Sequence, residues 1–184
     1  MDIKIGLIVI LVIVALIIML IGYFIKTSNL LTRLCNKCKE LNSDIDVALT
    51  KRFDLLTKEY EAAKMYCDHE SSTLINAIKV RNGMTQEEKE TATKQMDKLT
   101  RNLKVTVEAY PQLHANENIM QLQKSCENTE EHLQAARRIY NISVTNYNNM
   151  CMEFPSSIVA SFTSHKSMEY FKADDEKRKD VSFI

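Results

Sequence analysis

Three stretches of the chain hold residue types whose spacing could do chemistry. His69-Glu70 opens the His-Glu-x-x-His pattern that places two zinc ligands one helical turn apart, but position 73 is Thr. The pattern is therefore absent, and His69, His114, His132 and His165 sit on separate segments. Cys35-x-x-Cys38 supplies one ligand pair; zinc needs a second pair or His ligands, and a redox dithiol is expected in a βαβ context that this sequence lacks. The third stretch is RRIYNISVTNYNNMCMEFP, Arg137 to Pro155, where Tyr140-Asn141 recurs seven residues later as Tyr147-Asn148.

Other routes to chemistry close on composition. The glycines are Gly6, Gly22 and Gly83, so no Gly-rich phosphate loop can form. Cys126 and Cys151 fall on an apolar stripe, where a small hydrophobic role is expected rather than nucleophilic attack. Glu87-Glu88, Glu130-Glu131 and Asp174-Asp175-Glu176 are neighbours that diverge on a helix and mark solvated faces. Asn141-Ile142-Ser143 spells a glycosylation sequon inside a helical pattern and is read as chance. No catalytic, metal or cofactor residue is expected. With 24 basic and 24 acidic side chains, charge gives no reason to expect nucleic acid as a partner.

The repeated Tyr-Asn pair belongs instead to a packing pattern. Ile119, Leu122, Cys126, Thr129, Leu133, Ala136, Tyr140, Val144, Tyr147, Cys151 and Phe154 cover 35 residues in ten steps, the coiled-coil average. Asn141 and Asn148 follow one step round the helix, where a half-buried amide fixes register by demanding a partner. Arg137 extends this edge toward Asp44, Asp46 or Asp54 on the first helix. The expected site is thus a register or interaction motif: Arg137, Tyr140, Asn141, Tyr147, Asn148, Phe154 and Pro155.

The elements that position it are long helices. Few glycines, two prolines and no Trp favour an all-α chain. Apolar positions Leu34, Cys38, Leu41, Ile45, Ala48 and Leu55 predict a first helix, with a weak point or new start at Asp68 and a stop at Gly83. Thr85-Gln86-Glu87-Glu88 has the form of a capping box opening a second helix through Ala92, Met96, Leu99, Leu103, Val107 and Tyr110, ended by Pro111. Asn116 caps the third. Short connections predict antiparallel neighbours in a bundle.

Residues Ile5 to Ile25 carry no charge, and twenty residues from Gly6 span the roughly 30 Å hydrocarbon core. Fifteen of those twenty are Leu, Ile, Val or Phe, about −5 to −9 kcal/mol on an insertion scale. The run exceeds a signal-peptide core, and no small-residue cleavage site follows. Lys4 alone precedes it, whereas Lys26, Arg33, Lys37 and Lys39 follow, predicting the N-terminus outside and the domain in the cytoplasm. Five cysteines without a disulfide pattern agree with a reducing compartment. The expected organisation is an N-terminal membrane anchor over 1–26, a helical bundle over 27–163 and a charged tail over 164–184. Within that tail Tyr170-Phe171 and Val181/Phe183 are candidate tethers.

AARRIYNISVTNYNNMCMEFPSSIVASF, Ala135 to Phe162, resembles the LemA family pattern A-R-R-x-Y-N-x-x-V-x-x-Y-N followed by Phe-Pro and an apolar segment. SDIDVALTKRFDLL, HESSTL and VEAYPQLHANENIMQLQ are similar to further family blocks. Thr57 stands where the family often has Pro, implying a straighter first helix, and Thr163-Ser164 stands near its Phe-Gly-Phe segment. The resemblance implies a bacterial, single-pass, membrane-anchored helical bundle with no agreed enzymatic activity. The family includes a branch associated with magnetosome membranes, which implies roles in membrane organisation. The expected function is a non-enzymatic scaffold or interaction module at the cytoplasmic membrane. It would contact the bilayer through residues 5–25 and an unidentified protein or a second copy through its bundle. The alternative is a membrane-tethered enzyme or metal-binding protein with a site between helices.

Overall fold

The computed structural model describes residues 2–81 and 83–172, with side chains from Gly6 onward. Among the described residues there are six helices and no strand: α1 (Asp2–Ala63), α2 (His69–Ala77), α3 (Gln86–Ala109), α4 (Pro111–His114), α5 (Glu117–Met152) and α6 (Ser156–Phe162). The chain is all-α. Val181 and Phe183, two of the candidate tethers, lie outside the described residues.

The helix ends obey local chemistry. The Glu88 amide donates to the Thr85 hydroxyl at 3.2 Å and the Thr85 amide to the Glu88 carboxylate at 2.8 Å, closing the capping box that opens α3. Asn116 accepts from the Asn118 and Ile119 amides at the start of α5. Asp68 accepts from the Ser71 amide at 2.8 Å, so the weak point foreseen there is the N-cap of a separate helix, α2. Gly83, at φ 77°, makes the left-handed turn between α2 and α3. Thr57 bonds back to the Phe53 carbonyl at 2.9 Å within an unbroken α1.

The described residues form two compact units. One holds α1 up to Lys39 with Ile142–Met168; the other holds Glu40–Asn141 with the described residues from Glu169. In the first, the side chains of residues 6–26 are all exposed, while Thr27, Leu31 and Cys38 of α1, Val144 and Tyr147 of α5, and Val159 and Ala160 of α6 are buried. Gly6 onward α1 is long and apolar enough to cross a membrane, and none of its most apolar window is buried.

In the second unit α1, α3 and α5 share a core of Ile45, Leu49, Leu56, Met96, Leu99, Leu103 and Leu133. Their directions follow from side-chain pairs. Asn42 meets Gln86, Asp46 meets Lys89 and Arg52 meets Asp97, so α1 and α3 run parallel. Glu59 meets Cys126 and Arg52 meets Glu130, so α5 runs antiparallel to α1. The rule that short connections give antiparallel neighbours holds for α2 against α3, where Glu70 pairs with Lys98 and Arg81 with Glu88. It does not extend to α1 and α3, because α2 carries the chain back between them.

Three expected core positions are corrected. Leu56, not Leu55, is fully buried, Tyr110 is 40% exposed and Phe154 is 82% exposed. Helix α5 ends at Met152, two residues before Phe154, because Pro155 has no amide to continue the ladder. Tyr110 is the capping residue between α3 and α4 and packs against Tyr66 instead, with ring centroids 4.8 Å apart and the ring planes tilted by 50°.

Candidate functional site: two asparagine clasps and a buried polar layer

Each Asn of the repeated pair grips one residue of the segment that follows α6. In the second unit the Asn141 side-chain amide donates to the Phe171 carbonyl at 2.8 Å and its oxygen accepts from the Phe171 amide at 2.9 Å. In the first unit Asn148 does the same for Met168, at 3.0 and 2.8 Å. A carboxamide presents a donor and an acceptor side by side, as a strand neighbour does, so each clasp satisfies a whole backbone residue without reading its side chain. The amides thus find their partners on the downstream segment.

Tyr140 and Arg137 lie beside the Asn141 clasp. The Tyr140 hydroxyl donates to the Glu169 carbonyl at 2.9 Å and accepts from Gln86 Nε2 at 3.0 Å. Arg137 donates to the Thr93 hydroxyl at 2.6 Å and lies 4.4 Å from the ring centroid of buried Phe171, a cation–π contact. The Lys172 amide donates to Glu90 at 3.0 Å. In the first unit Tyr147 is buried beside His165, whose ring nitrogen meets the Thr163 hydroxyl at 2.8 Å. Burial and the nearby Cys151 and Cys35 thiols push the Tyr147 phenol up, so it stays protonated. Phe154 and Pro155 are exposed and take no part.

Beneath this lies a buried polar layer that the apolar pattern did not reveal. Lys89 is fully buried, with its ammonium 2.6 Å from Asp46 and 2.9 Å from Asn42 Oδ1. Asn42 also accepts from Gln86, so α1, α3 and α5 share one network ending at Tyr140. Two turns on, Arg52 donates to Asp97 at 2.7 Å and faces Glu130 at 2.8 Å, the latter a charge contact without hydrogen-bond alignment. Asp46, one of the acids expected for Arg137, is thus engaged by Lys89.

The pair closest to reactive chemistry is Glu59 with Cys126, sulfur to carboxylate 3.8 Å. Burial raises both groups, and Cys126 reaches about 12 with the Glu59 charge adding to burial. A thiol held so high is a poor nucleophile at neutral pH. Among the described residues no cluster of three His, Cys, Asp or Glu could hold a metal.

A family model for the LemA family matches residues 42–183, and the chain belongs to that family. A search of curated proteins returned no match.

Proposed function

We propose that this LemA-family chain is a membrane-tethered, non-enzymatic interaction module: α1 anchors it through residues 5–25, and the helical domain presents its faces to other proteins or to a second copy in the cytoplasm. The observation that carries this reading is the change of character along one unbroken helix. From Gly6 to Lys26 α1 is bare, and from Thr27 it buries one side. A core helix of a soluble protein would be covered throughout; an apolar run with no protein around it needs lipid. The Lys and Arg residues after the run favour the cytoplasmic side for the domain.

The non-enzymatic part rests on the state of the buried groups. Charges in the polar layer are spent on one another across three helices, and the thiol nearest a carboxylate is protonated. Such networks fix helix register. Crosslinking in intact cells followed by mass spectrometry tests the proposal. Recurring neighbours or a crosslinked dimer are expected; a monomer without recurring neighbours removes its basis.

A further inference from the structure

We infer that α6 is a second lipid-contacting element, lying in the headgroup and upper acyl region of the same leaflet with Ile158 and Phe162 inserted. The eleven residues from Phe154 to Ser164 carry no charge and stand between Glu153 and His165. Helix α6 is two-faced: Ser156, Val159 and Ala160 are buried, while Ile158 is 49% and Phe162 78% exposed, one turn apart on one side. Phe162 packs edge-on against Phe24, ring centroids 6.5 Å apart. Phe24 lies in the last turn of the apolar run, two residues before Lys26, so Phe162 shares its depth. The exposed side of α6 is thereby continuous with the bare surface of α1.

Lipid contact also demands satisfied backbone, and the ends of α6 meet that demand. The Thr163 amide donates to the Val159 carbonyl at 3.0 Å, the His165 amide to Ala160 at 3.0 Å and the Ser164 amide to Ser161 at 3.3 Å. At the other end the Ser157 amide and the Ser156 hydroxyl both donate to the Glu153 carbonyl. Exposed Lys26 and Lys166 flank the apolar surface and suit anionic headgroups.

The inference rests on α1 being the anchor, and the test separates the two. The chain has no Trp, so single Trp variants of the full protein in bilayers of brominated phospholipid report depth at one position each. Phe162→Trp and Ile158→Trp should lose at least half their emission, as Tyr23→Trp in the anchor does, while Asn149→Trp keeps its own. If Tyr23→Trp is quenched but positions 158 and 162 behave like 149, the α6 proposal is overturned and the anchor stands. If position 23 also escapes quenching, both are overturned. Trp at 162 shielded from bromine and from aqueous acrylamide alike would place a protein partner there and overturn the lipid assignment.

Discussion

The clasps give Asn141 and Asn148 a job that no other side chain of similar size can do, because each must donate and accept toward one peptide residue. Replacing Asn141 with Leu removes two hydrogen bonds and leaves the Phe171 backbone groups without them, a cost of about 1 to 3 kcal/mol. The Asn141→Leu/Asn148→Leu protein should keep its helicity, melt lower and be cut faster by trypsin at Lys166 and Lys172. Unaltered cleavage would show that the clasps do not hold the segment. Asp97 is a different case. Asp97→Ala strips Arg52 of its aligned partner inside the core and should cost about 3 kcal/mol. Changing Arg52 and Asp97 to Met together with Glu130 to Gln, so that no charge is left facing the gap, should recover most of that loss, a coupling that a mutant denaturation cycle measures. Glu59 carries the pH dependence. Its folded pKa is raised, so its contribution to stability is whole below the ordinary carboxylate value of about 4.3 and is lost as pH rises through the folded value. Glu59→Gln, which imitates the protonated form and can still accept from Cys126, should gain stability at neutral pH and flatten the profile between acid and neutral pH. A mutant less stable than the parent at pH 7 would contradict the sign.

Elements were legible wherever apolar spacing and caps agreed. Thr85, Asn116, Gly83 and Pro111 all mark boundaries for reasons visible in the chain. What the spacing hid were polar residues standing in phase with the apolar ones. Arg52 and Glu59 continue the Ile45, Leu49 and Leu56 stripe, and Lys89 precedes Met96 by two turns in the same way, but a search for apolar letters passes over them. The signal was available: a charged residue at three- or four-residue spacing inside a stripe implies a buried partner on a facing helix. The clasp partners were harder to find, since a backbone amide at Met168 or Phe171 has no side-chain signature. The parallel pairing of α1 and α3 was also hidden, because the spacing left open whether Asp68 was a weak point in the first helix or the start of a new one. Gly83 at φ 77° makes the turn after α2, and a Cβ there would meet nothing within 4 Å. Gly83→Ala should therefore cost only the backbone term, about 1 to 2 kcal/mol, with no loss of helicity at saturation; a loss of helix signal would mean that α2 or α3 depends on more than the turn.

At the scale of the molecule, the family match covers residues 42–183 and begins after the apolar run, so the reading of the anchor stands on physics rather than on resemblance. The proposed anchor rests on twenty bare apolar residues continuous with a packed helix, and its proposed orientation on the basic residues that follow them. Met65 is 94% exposed just beyond α1 and offers a handle on that claim. The direct measurement is labelling of a Met65→Cys protein, its five native cysteines changed to Ser, with a membrane-impermeant maleimide, paired with alkaline extraction of the membranes. The account predicts a protein that stays in the membrane pellet and reacts at position 65 only after the cells are opened. Release into the alkaline supernatant, or rapid reaction at position 65 in intact cells, would contradict it.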